Sequence, residues 1–230
     1  MTSDVTSTRK FGAGPLSRAS ALIYTLLIVE LLVLLTAVPG LAALVLLDRS
    51  TGNVPLMAAC LLPAGPALSA ALYALRHRSS ELTELHPARA FWRGYRLNFG
   101  AALKIWVPWL VVLALVGTNL SNFSAAGVPG WWAALLVVLA AGGTLWVANA
   151  LVITSLFAFR AVDVAKLAAW GLGRFPGATL ANACLLIVAG GVTLVATEAG
   201  LALLASVFSA TLLWNSRAMV GEVERRFTRQ

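Results

Sequence analysis

One acid lies deep inside an apolar stretch. Glu30 stands about eleven residues into the run 19–47, hence roughly 16 Å along a helix rising 1.5 Å per residue. A carboxylate at the bilayer centre costs about 2.5–3.5 kcal/mol on insertion scales, so protonation, a hydrogen-bond partner or a wet cavity must offset it. Asn149 and Asn182, in later apolar runs, are the candidate partners. Glu30, Asn149 and Asn182 thus form a candidate intramembrane polar site. Its chemistry is either coupling to a proton or solute, or a structural contact between helices. Other reactive types do not converge. The two histidines, His77 and His86, fall in one polar connection beside Glu81 and Glu84, a spacing that does not specify a metal site. The two cysteines, Cys60 and Cys184, are expected at different depths, as packing residues without a disulfide. Serines and threonines have no paired histidine or lysine that would make a nucleophile, and there is no Walker A sequence. The expectation is a non-enzyme with no catalytic, metal or cofactor-binding residues.

A second set of residues suggests binding. Ala88, Phe91 or Trp92, Tyr95 and Phe99 recur at helical spacing, and so do Arg89, Arg93 and Arg96. The two stripes lie side by side on a 3.6-residue helix. Such a helix lies in the membrane interface, its rings among the headgroups and its guanidiniums on phosphates. Arg89, Trp92, Arg93, Tyr95 and Arg96 are therefore candidates for docking anionic lipid or a cytoplasmic partner.

The elements that hold these residues are membrane helices. Of 230 residues, 60% are hydrophobic and 11% charged, against about 45–50% and about 25% in soluble domains. The net charge of +8 is distributed between apolar runs, which argues against a nucleic-acid-binding domain. The runs are 19–47, 54–75, 103–117, 131–159, 178–197 and 201–214, about the length that spans a bilayer. Pro39-Gly40 inside the first is expected to kink or break it. With the N-terminus inside, 16 of the 17 bases fall on the cytoplasmic side and only Arg49 outside, as the positive-inside rule requires. The expected fold is an all-α polytopic bundle of about six transmembrane helices with cytoplasmic interfacial helices and both termini inside. It forms one membrane domain over 1–230, with a cytoplasmic segment 1–18, an amphipathic connection 76–102 and a basic tail 215–230. The first run reads as a signal anchor without a cleavage site.

Smaller features refine this picture. Phe99-Gly100-Ala101-Ala102-Leu103 and Pro176-Gly177-Ala178-Thr179-Leu180 each follow a tryptophan, Trp92 and Trp170. They suggest two parallel hairpins, each introduced by a surface helix. Trp106, Trp109, Trp131, Trp132, Trp146 and Trp214 read mainly as an interfacial belt or as packing. Gly142-Gly143, Gly171-x-Gly173 and Gly190-Gly191 read as points of close helix approach or bending. Arginine-rich, Ala/Gly/Leu-rich usage suggests a GC-rich bacterial genome, in which Asn119-Leu120-Ser121 and Asn122-Phe123-Ser124 are not glycosylated.

The segment Leu62-Pro63-Ala64-Gly65-Pro66-Ala67-Leu68-Ser69-Ala70-Ala71-Leu72-Tyr73 resembles the YesL-like family of bacterial membrane proteins. Phe91-Trp92-Arg93-Gly94-Tyr95-Arg96-Leu97-Asn98-Phe99 resembles that family's aromatic-basic segment, and Phe11-Gly12-Ala13-Gly14-Pro15-Leu16 its glycine-rich start. The long first run and the loop 48–53 depart from the family's compact start. The resemblance implies a multi-pass bacterial cytoplasmic-membrane protein with an accessory or regulatory role near carbohydrate uptake, with ABC-type transporter subunits as partners. The bilayer itself, including anionic lipids, is the other partner; nucleic acid is not one, and a homo-oligomer is compatible. A small transporter or channel with a polar path near Glu30 is the alternative.

Overall fold

The computed structural model describes residues 15–48, 50–78 and 86–228. Arg9, Lys10, residues 11–14, Arg49, Glu81, Glu84 and Arg229 lie outside the described residues. Among the described residues the chain is helical and without strands: α1 (Pro15–Leu46), α2 (Val54–Cys60), α3 (Ala64–Arg76), α4 (Pro87–Ser121), α5 (Trp131–Leu156), α6 (Ala161–Arg174), α7 (Pro176–Ala202), α8 (Ala205–Asn215) and α9 (Arg217–Val223). Five stretches are long and apolar enough to cross a membrane: Leu16–Leu46, Thr51–Arg76, Pro87–Ser121, Trp131–Leu156 and Pro176–Ala202. The sixth apolar run forms α8, whose 11 residues extend only about 16 Å.

Prolines interrupt these helices unevenly. α1 continues through Pro39 without the expected break, because one missing N–H leaves the rest of a long apolar helix intact. Gly40 beside it has a packing role: a Cβ there would lie 2.0 Å from the Cys60 carbonyl oxygen, so only glycine lets α1 meet the end of α2. The second run falls within one candidate span, Thr51–Arg76, as expected, but its helix is interrupted at residues 61–63 between α2 and α3, with Pro63 as the N-cap of α3. The indole N–H of Trp106 donates to the Leu61 carbonyl at 2.9 Å, supplying a partner where the helix stops. Gly65 gives that indole its place, since a Cβ would stand 2.4 Å from Trp106 Cγ.

The aromatic-basic segment is not a separate surface helix. It is the first third of α4, which runs unbroken from Pro87 to Ser121. Its counterpart α6 is separate, because Phe175 leaves helical geometry and Pro176 starts α7. Phe99, the counterpart of Pro176, retains the N–H that proline lacks, so the two halves of the suggested repeat are built differently.

The core sits towards one end of the bundle. α5 is central: Val147 and the run from Asn149 to Ser155 are buried. Leu72, Ala102, Ile105, Trp109, Val164, Ala168 and Met219 pack with it. A second cluster joins Val29 and Val33 to Ala67, Ala70, Ala71, Ala74 and Phe91. α3 and α4 share the most extensive interface. Leu194 and Val195 on α7, 89% and 90% exposed, lie far from any such core and present an apolar face to the surroundings. In a bilayer, lipid tails cover such a face at no hydrophobic cost.

Candidate functional site

The deep carboxylate meets a broken helix. α7 departs from helical geometry at Thr197, where φ is 63° and ψ −179°, and the chain turns again at Leu203-Leu204 before α8. A helix that starts afresh leaves its first amide N–H groups without partners. The Ser206 backbone N–H donates to Glu30 Oε2 at 2.7 Å, so α1 supplies a carboxylate to the start of α8. Position and sign both favour this contact, because a helix N-terminus carries partial positive charge. Glu30 Oε1 is buried without a hydrogen-bond partner.

The candidate polar trio is not one site. No hydrogen bond joins Glu30 to Asn149 or Asn182. Asn182 Oδ1 accepts from Asn215 Nδ2 at 3.1 Å, tying α7 to α8. Asn149 is buried on α5, close to Gly171 of α6, where an added Cβ would lie 3.7 Å from its Nδ2. The partner of Glu30 is a backbone amide, which no residue type in the sequence identifies.

A polar bridge inside the core was also not anticipated. Ser69 of α3 and Ser155 of α5 share a buried hydrogen bond of 2.9 Å. Asn98 of α4 donates to the Ser155 carbonyl at 3.2 Å, one of the last carbonyls of α5, which lack helical partners. Three helices are joined at this point. The sequence signal was that Ser69 and Asn98 fall within the two longer family-like segments.

The candidate docking residues occupy the first turns of α4. Phe91 is fully buried, which decides the apolar stripe between Phe91 and Trp92; Trp92 is 40% exposed. Arg89, Arg93 and Arg96 are exposed and Tyr95 half-buried. Trp92, Tyr95 and Phe99 form a ladder with ring centroids 5.7 and 5.5 Å apart. Gly94 faces α3, where a Cβ would be 2.7 Å from Tyr73 Cγ. The turn that displays the arginines is therefore locked to α3 from behind. At the chain's other end, Arg76 pairs with Glu224 at 2.7 Å. Hydrogen bonds from Arg225 and then Arg226 hold the Glu222 carboxyl below its usual range.

The tryptophans divide. Trp131, Trp132 and Trp214 are exposed, as interfacial residues are, whereas Trp109 is buried and Trp106 and Trp146 are half-buried. Trp146 donates its indole N–H to the Ala165 carbonyl at 3.0 Å. Gly143 accommodates Trp109 and Gly171 approaches Met219, while Gly142, Gly173, Gly190 and Gly191 meet no neighbour within 4 Å. Both cysteines are free thiols, and Cys184 is exposed on α7 instead of packed. Among the described residues no group of three His, Cys, Asp or Glu could hold a metal.

A family model described as a protein of unknown function, DUF624, matches residues 21–120. The YesL-like proteins belong to that family. The match covers α1 to α4, and with them Glu30, the Pro63 break, the α3–α4 interface and the exposed arginines. No curated protein and no solved structure matches the chain. The two longer segments that carry the resemblance meet in space: Tyr73 against Gly94, and Ser69 and Asn98 both on Ser155.

Proposed function

We propose that this chain is a non-enzymatic, multi-pass accessory or regulatory protein of a bacterial cytoplasmic membrane, attached to a carbohydrate ABC-type uptake system. The observation that carries the reading is the start of α4. Arg89, Arg93 and Arg96 stand exposed beside Trp92, with no hydrogen-bond or ion-pair partner among the described residues, on a turn fixed to α3 through Phe91 and Gly94. A rigid, basic, aromatic surface of this kind suits a protein partner, since arginine and tryptophan dominate interface energetics. The link to carbohydrate uptake rests on the family resemblance.

The topology that goes with this function has six passes and both termini in the cytoplasm. The last pass is the discontinuous stretch 198–215, continued by α9. Two observations favour it. The Arg76–Glu224 pair brings the tail to the end where α3 stops, and a Cβ on Gly171 of α6 would lie 2.6 Å from the sulfur of Met219 on α9. Five passes would set Arg217, Arg225 and Arg226 on the side opposite Arg76 and Arg78, against the positive-inside rule.

The test is chemical crosslinking of a tagged copy expressed from its native locus, followed by mass spectrometry, with sugar uptake measured in a deletion strain. Permease or ATPase subunits joined through residues 76–98, together with impaired uptake, are the expected result. Self-crosslinks alone with unchanged uptake contradict it. One observation favours the alternative, a small transporter. Broken helices, a device of transporters, border a cleft of ≈ 420 Å³ that reaches Trp106, Asn182, Glu198 and Ser209. Apart from these, Thr144 and Thr193, its lining is apolar, and Glu30 is not part of it. Solute flux into liposomes containing the purified protein would establish that alternative.

A further inference from the structure

A cavity of ≈ 290 Å³ opens where α3 ends and α4 begins. It is lined by Arg78, Arg89 and Arg93, by His77 and His86, and by Tyr73. Arg78, just beyond the end of α3, lines it together with Arg89 and Arg93 of α4, and among the described residues no acid does. Among the described residues none of the three arginines has a hydrogen-bond or ion-pair partner, in contrast to Arg76, Arg225 and Arg226. The start of α4 adds to the positive field: its first turn holds no acid and no side chain caps it, and uncapped N-termini favour anions.

The walls are built to hold shape. Tyr73 stacks on His77 with ring centroids 4.1 Å apart. His77 Nδ1 lies 2.9 Å from the Tyr73 carbonyl. A carbonyl can only accept, so Nδ1 carries the proton and the ring is fixed in orientation. Pro87 is buried, and Tyr73 is seated against α4 by the missing Cβ of Gly94. Arg89 and Arg93, four residues apart, share one face of the helix.

We infer that this cavity is a binding site for a phosphate-bearing anion, gripped by Arg78, Arg89 and Arg93 at the uncapped start of α4. Arginine forks pair with phosphate oxygens bidentately, which a lone lysine or a diffuse basic patch does not. The inference is independent of whether the protein docks a transporter. The phosphate is carried either by a phospholipid headgroup or by a soluble phosphorylated metabolite, and the experiment separates the two.

The full-length protein is purified in detergent, delipidated and studied by native mass spectrometry. One arm adds phosphatidic acid or phosphatidylglycerol, with phosphatidylcholine for comparison; the other adds inorganic phosphate and a hexose phosphate. Wild type is compared with Arg89→Ala/Arg93→Ala, with Arg89→Lys/Arg93→Lys, and with Arg160→Ala/Arg174→Ala, which removes equal charge elsewhere. Retention of either anion class, weakened roughly tenfold or more by the first pair, partly by the lysine pair and not by the third, supports the site. The arm that binds names the source. Equal weakening by the Arg160/Arg174 pair would show diffuse attraction only and overturn the inference. Absence of binding in both arms, with wild type monodisperse, would overturn it as well.

Discussion

The contact between Glu30 and the Ser206 amide gives one residue a role that its burial alone could not. A carboxylate within an apolar helix reads equally well as a proton carrier or as a structural contact, and the difference lies in what it touches. Here Oε2 serves a helix N-terminus, so its removal strands an amide N–H in a dry setting. Leaving a buried donor unsatisfied costs about 1–3 kcal/mol. Glu30→Leu should therefore lower the thermal midpoint in detergent clearly, whereas Glu30→Gln, which keeps an acceptor oxygen, should lose less. Equal losses would mean that the charge matters and the acceptor does not. Trp106 makes the same argument from the donor side. Trp106→Phe keeps the ring against Gly65 but removes the indole donor and leaves the Leu61 carbonyl with the Ala64 N–H alone, a loss of about 1 kcal/mol, which the unfolding midpoint will register. Neither contact was legible in the sequence. Both involve a backbone group exposed by a helix break, and the partner of such a group has no residue type to recognise.

At the scale of the element, helices were legible and their interruptions were not. Long apolar runs are one-dimensional signals, and the first five fall largely within the helices long enough to span a membrane. A proline's effect depends on its neighbours in space. Pro39 is absorbed within α1, whereas Pro63 coincides with the end of α2 and the start of α3, where Trp106 stabilises the break. The reading of residues 88–99 as a surface helix failed for a related reason. Amphipathic spacing shows which face is polar, but whether the axis bends into the interface depends on a break at Phe99 that does not occur. Thr197 is the most strained element boundary. A β-branched residue at φ 63° and ψ −179° occupies a region used almost only by glycine, at a cost of about 1–3 kcal/mol. Thr197→Gly should raise the thermal midpoint or leave it unchanged, and Thr197→Val should not. A marked loss in the glycine variant would show that the helix does not turn there.

Across the whole molecule, packing is concentrated at the end where α3 finishes, α4 begins and α9 returns, while the flanks of α1 and α7 stay apolar and uncovered. The apolar composition is matched by five helices long and apolar enough to cross a membrane, and charge asymmetry suggested which end faces the cytoplasm. Assembly of the core at that end depends on side-chain contacts such as Ser69 with Ser155 and Gly94 with Tyr73, which pattern alone cannot supply. Six passes predict that single cysteines at positions 96, 166 and 222, in a Cys60→Ala/Cys184→Ala background, react with impermeant maleimide from the cytoplasmic side only. A cysteine at 126 should react from the opposite side. Labelling of 222 together with 126 would instead mean five passes.

The docking role is tested most directly by a photoreactive amino acid placed at Trp92, with Trp132, exposed beyond the far end of α4, as the comparison. Illumination of native membranes should join position 92, and not position 132, to a subunit of an uptake system, and the adduct should weaken in an Arg93→Ala/Arg96→Ala background. Adducts at 92 that contain only lipid or only a second copy of the chain would contradict the accessory role.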